Sequence, residues 1–234
     1  YYRMGKWDAA RECLHESNEY EKSCWNAFHQ SIVEVESNSI ESAKPLLDTL
    51  FVMCEQSSNV HSNGSFCVLL MMIFACRYNL DERWLALAES ILSSYLDTIV
   101  ADIRVERYQR TKLYLGYIRR DVHSAGTAYE YLRNTYIEYT AMPDIGRAAA
   151  FAGYTADAMV LYRTSRDKCR TGGYLPTVAW CSYELSKLLA GLNGVKPNAE
   201  VVSGLREAFE ICTSIGMPTL QQRIEELASE LTID

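Results

Sequence analysis

Apolar side chains recur at three- and four-residue spacing along nearly the whole chain. Trp84, Leu85, Ala88, Ile91, Leu92, Tyr95 and Leu96 form one such series, and on an α-helix they make a single buried stripe. Alternation of the strand kind is almost absent. Turn-forming clusters interrupt the stripes at Ser57 to Ser65, Asn79 to Asp81, Arg120-Asp121, Met142 to Asp144, Thr171 to Gly173 and Gly191 to Asn198. The segments between them have the length of ordinary globular helices, so an all-α chain is predicted.

A second periodicity lies above the first. With turns placed at Gly5, Asn38, Glu82, His123 and Gly153, spaced by 33, 44, 41 and 30 residues, the fifth residue after each is Ala10, Ala43, Leu87, Ala128 and Ala158. Four residues further stand Leu14, Leu47, Ile91, Leu132 and Tyr162, and three beyond those Ser17, Leu50, Ser94, Thr135 and Ser165. Small residues admit close helix approach and the bulky ones act as knobs on a partner helix. Upstream of the turns the frame gives Phe74-Ala75 with Tyr78, Leu115-Gly116 and Ile145-Gly146, a large residue beside a small one on each first helix. Pro45 disturbs one unit unless its helix begins near Ser42.

This small-large-small series with a Leu-Gly step resembles the tetratricopeptide repeat. The resemblance implies an α-solenoid of about six antiparallel helix pairs in a right-handed superhelix, each unit meeting only its sequence neighbours. The units run approximately over 1–22, 23–62, 63–100, 101–140, 141–173 and 174–218 of one domain, with a capping helix at 219–231. From Asp157 onward the wording is more particular. Ala158 to Tyr162, Cys169 to Pro176, Ala179 to Leu185 and Ile215-Gly-Met-Pro-Thr-Leu220 resemble the C-terminal helical region of LuxR-type regulators and nucleotidyl-cyclase-linked signalling ATPases. Gly216 suits the left-handed close of a helix and Pro218 the first turn of the next. The terminal helix carries Leu220, Ile224, Leu227 and Leu231 inward, with Arg223, Glu225, Glu226 and Glu230 outside.

Composition narrows the function. The chain has 23 basic and 30 acidic residues, a net charge of -7, which disfavours a broad phosphate-binding surface and hence direct nucleic-acid binding. The longest apolar run, 66–76, is far short of the roughly 20 residues of a membrane-spanning helix. Eight cysteines fall mostly in apolar helical stretches and read as free thiols. The start at Tyr1 resembles no signal peptide and suggests a piece of a longer, cytoplasmic protein.

Catalytic and metal-binding patterns are missing. His15, His29, His61 and His123 are scattered, without the paired spacing of a metal site, and the paired acids Glu34 with Glu36 and Glu225 with Glu226 read as solvated helix faces. No phosphate-binding loop motif occurs. Neither enzyme activity, nor a cofactor, nor a metal is expected. Sixteen tyrosines, with Tyr108, Tyr114, Tyr117, Tyr129, Tyr131, Tyr136 and Tyr139 close together, share a stretch with Arg104, Arg107, Arg110, Lys112, Arg119, Arg120 and Arg133. Such a local basic-aromatic reversal receives carboxylate or phosphate, although pairing with Glu106, Asp121 and Glu130 explains the arginines equally well.

The repeat frame assigns Arg110, Tyr117, Arg120, Arg147, Tyr183 and Lys187 to the groove of the first helices. The expected function is a regulatory interaction module of a larger signalling or transcription-regulating ATPase, holding a peptide segment or a partner domain, including one of its own parent chain, in its concave face. The alternative is a sensor of a small effector. On the first reading, replacing Arg110, Arg120 and Arg147 with Ala weakens a partner and leaves the melting temperature unchanged.

Overall fold

The computed structural model describes residues 1–20, 24–56, 73, 77, 82–95, 102–135, 138, 141–193 and 197–233. Among them every regular element is helical: a 3-10 turn at Tyr2–Met4, then α1 (Trp7–Tyr20), α2 (Cys24–Ser37), α3 (Ile40–Gln56), α4 (Glu82–Tyr95), α5 (Asp102–Ile118), α6 (Val122–Leu132), α7 (Met142–Phe151), α8 (Thr155–Thr171), α9 (Leu175–Asn193), α10 (Ala199–Ile215) and α11 (Pro218–Glu230). The Phe74-Ala75 step with Tyr78, the loop from Ser57 to Ser65, and His61 lie outside the described residues. No described helix is long and apolar enough to cross a membrane.

Helix ends follow local chemistry. Asp121 caps α6, its Oδ1 accepting from the Ser124 amide at 3.0 Å, and Asn198 caps α10 by accepting from the Val201 amide at 2.9 Å, each satisfying a donor the first turn leaves open. Pro143 and Pro218 stand in the first turns of α7 and α11, where no amide bond is lost. Pro45 differs. Its helix begins at Ile40 and not near Ser42, so Pro45 is interior and the backbone bond from position 45 to Glu41 is forgone.

The small positions hold the helices together. Ala10, Ala43, Ala128 and Ala158 are all buried, as are Leu47, Leu132 and Tyr162 four residues later. A Cβ on Gly116 would lie 2.7 Å from the Ala125 backbone nitrogen, and one on Gly146 would lie 2.8 Å from the Tyr162 ring. Glycine is therefore what allows α5 to meet α6 and α7 to meet α8 so closely. Consecutive helices pack from α5 through α11, and α5, α7 and α9 also contact one another in series, forming one inner wall.

Contacts are not confined to neighbouring units. α11 packs on α2 and the N-terminal 3-10 turn packs on α9. Trp7 donates its indole N–H to the Ile215 carbonyl, Ile215 also lies against Gly5, and Trp180 on α9 donates to Glu36 on α2 at 3.0 Å. Buried indole donors left without acceptors are costly, so these bonds pin the first helices to the last. The expectation of units touching only their sequence neighbours is corrected here. Of the paired acids, Glu225 and Glu226 are exposed as expected, whereas the first pair is corrected: Glu36 is 4% exposed, and Glu34 accepts from Arg11 at 2.7 Å.

Candidate functional site

The inner wall of α5, α7 and α9, together with α11, bounds a cleft of about 670 Å³, within the range of ligand sites. Five of the six residues that the repeat frame assigns to a groove line it: Tyr117, Arg120, Arg147, Tyr183 and Lys187. Arg110 does not. It lines a separate cavity of about 170 Å³ nearer the N-terminal turn, because its place two helical turns before Tyr117 on α5 carries it towards the other end of the wall.

The floor of the cleft is a buried ionic network. Arg77 grips Asp144 with two bonds, Nε at 2.8 Å and Nη2 at 2.9 Å, and reaches Glu36 at 3.1 Å. Arg147 donates through Nε to Glu184 at 3.0 Å and stands 3.7 Å from Asp144. Both guanidinium groups lie near the Trp180 ring, at 5.2 and 5.6 Å from its centroid. Burial works against the charge of Arg147, but Glu184 and Asp144 outweigh it and raise its pKa well above the ordinary value. Burial, then Glu184, pushes the Tyr183 hydroxyl up to about 12, so it stays a neutral donor. The Tyr162 hydroxyl is raised for the same reasons.

Two arginines against Glu36, Asp144 and Glu184 leave the floor slightly negative. It is a structural cluster, whose members cannot be removed singly without exposing an uncompensated buried charge. Arg147 is thus unsuited to a substitution meant to spare the melting temperature, and Arg110, partly buried and paired with Glu106 at 3.1 Å, is equally unsuited.

The rim has the opposite sign. Arg120, Lys187 and Arg223 stand there with one carboxylate, Glu226. Arg120 stacks on Tyr117 at 5.8 Å and on Phe151 at 5.6 Å; Lys187 lies 5.9 Å from the Tyr183 ring. Neither Arg120 nor Lys187 makes an ion pair among the described residues. A cation held on an aromatic face keeps its N–H groups directed outward, which is the arrangement an incoming anion requires. Beyond the rings, Leu188 and Leu192 on α9 continue the wall to the surface, Leu192 being 56% exposed.

Arg120 also sits in unusual backbone. It has φ 60° and closes α5 with the bonds Asp121 N to Gly116 O at 2.8 Å and Arg120 N to Tyr117 O at 3.3 Å, a left-handed helix end. α7 and α8 end with the same pair of bonds, but with Gly153 and Gly173 at the positive-φ position, and α10 closes on Gly216.

Several contributors escaped the sequence. Arg77 falls between the marked positions Ala75 and Tyr78, Arg223 reads as an outward residue of a capping helix, and Phe151 stands at the end of α7 beyond the positions the frame marks. Arg133 pairs with Glu130 at 3.2 Å at the surface, as the surface-pairing reading expects; Arg110 pairs with Glu106 too, but away from the surface, and Asp121 serves as a cap. No group of three or more His, Cys, Asp or Glu suited to a metal ion occurs among the described residues, and the described cysteines 13, 54, 169, 181 and 212 are free thiols. No family model, no curated protein and no solved structure matches this chain.

Proposed function

We propose that this chain is a non-catalytic interaction module that holds an acidic, extended peptide segment in the cleft, the peptide coming from a partner protein or from another domain of a larger regulatory protein. The observation that carries the reading is the rim: Arg120 and Lys187, stacked on Tyr117, Phe151 and Tyr183 and without ion-pair partners among the described residues, in a chain of net charge -7. Carboxylates would pair with the two cations while apolar side chains run out along Leu188 and Leu192. The exposed wall favours a chain that continues past the cleft over a molecule enclosed by it.

The architecture in this reading is a tetratricopeptide-like superhelix of antiparallel helix pairs, of the kind found beside the ATPase core of LuxR-type and cyclase-linked regulators. The serial contact of α5, α7 and α9 supports it. The curve is tight enough for its first and last helices to meet, so the groove is a bounded cleft and not an open channel.

The test is fluorescence anisotropy with a labelled peptide rich in Glu and Leu. Arg120→Gln and Lys187→Gln should each weaken binding about fivefold to tenfold, with the wild-type affinity falling as salt rises. Binding that is indifferent to both substitutions and to salt contradicts the proposal.

A further inference from the structure

The cavity of about 170 Å³ lies on the other side of Arg77 from the cleft and is lined by parts of the chain distant in sequence: Trp7 and Phe28 from the first helices, Arg110 from α5 and Trp180 from α9. Its walls are largely aromatic and aliphatic, and its size is close to that of an engineered cavity of roughly 150 Å³ that takes benzene. The charged groups on it are all paired, and one of them keeps a donor to spare. Arg77 is held by Glu36 and Asp144, and Arg3 is held by Glu138 at 2.9 Å. Arg110 differs: its carboxylate, Glu106, is not part of the lining, and its Nε is buried and meets no acceptor among the described residues.

A buried donor without an acceptor is expensive, and a site that leaves one beside an apolar hollow is shaped for a ligand that supplies it. His29 adds shape and not charge, standing 5.0 Å from the Tyr2 ring and 5.3 Å from Phe28. We propose that this cavity is a binding site for a single-ring aromatic carboxylic acid, its ring between Trp7, Phe28 and Trp180 and its carboxylate on the Arg110 guanidinium. Because the walls come from the first helices and from α5 and α9, an occupant would also tie these segments together. The inference is independent of the acidic peptide, which uses other cations.

Benzoate, toluene and acetate serve as probes, read by thermal shift and by tryptophan fluorescence. At ten times its Kd benzoate should raise the melting temperature by about 3–6 °C, with toluene weaker and acetate inert. Ala141→Leu, which fills the cavity from its wall, should abolish the shift. Arg110→Met should lose the benzoate response and keep or gain that of toluene, and Arg110→Lys should retain part of the preference for the acid. Failure of both ring compounds to stabilise the wild type, or a benzoate shift that persists in Ala141→Leu, overturns the site; a benzoate response equal in wild type and Arg110→Met overturns the carboxylate assignment. Arg120→Gln should leave the benzoate shift intact, so loss of peptide binding and loss of this site are separable.

Discussion

Arg120 shows how a single position can be held against its local preference. A side chain at φ 60° costs on the order of 1 kcal/mol relative to glycine, yet arginine occupies this helix end where Gly153, Gly173 and Gly216 close others. Backbone strain retained at a cleft residue is a mark of use. Arg120→Gly should therefore stabilise the fold by roughly 0.5–1 kcal/mol, seen as a melting temperature about 1–4 °C higher, while weakening an acidic peptide at least fivefold. His29 supplies a second residue-scale expectation. Burial, with Arg3 nearby, lowers its pKa from 6.5 to about 4, so the folded protein keeps it neutral where the unfolded chain takes up a proton. Its contribution is complete above pH 6.5 and is lost as pH falls towards 4, amounting to roughly 3 kcal/mol across that window. Comparing denaturant midpoints of wild type and His29→Asn at pH 7.5 and pH 4.5 isolates it: the wild type should lose more stability on acidification than the variant.

Helices were the legible scale. The alanines of the repeat frame are buried where the frame predicts a close approach, and the Leu115-Gly116 step sits against the Ala125 backbone while the Ile145-Gly146 step sits against the Tyr162 ring. Such positions are readable because a missing Cβ is a property of the residue itself. Gly116→Ala should cost about 2 kcal/mol or more, since the added methyl group meets a backbone nitrogen that cannot rotate away. Gly191→Ala on α9 meets nothing within 4 Å and should be neutral or stabilising by up to ~1 kcal/mol, as helix propensity favours alanine. Chemical denaturation of the two variants checks both signs. Pro45 keeps the cost of an interior position, because α3 already starts at Ile40, after Ser39, whose Oγ accepts from the Ser42 amide at 3.3 Å.

The whole molecule was legible only in part. Five of the residues that the frame names line one cleft, because positions near one repeat spacing on or just after α5, α7 and α9 face the same side. The closure was not readable. It rests on Trp7 reaching Ile215, Trp180 reaching Glu36, and Arg77 joining Glu36 to Asp144, pairs separated by 41 to 208 residues that no local period connects. Closure also divides the charge, burying Arg77 and Arg147 among carboxylates and leaving Arg120 and Lys187 to act at the rim. Whether an acidic segment lies along that rim is read out by site-resolved photo-cross-linking. A Glu- and Leu-rich peptide bearing a benzophenone should label Tyr117, Phe151, Leu188 or Leu192, with adducts lost at high salt and in Arg120→Gly. Adducts on the outer faces at Val160 or Phe209, or none at concentrations where the peptide is bound, would contradict it.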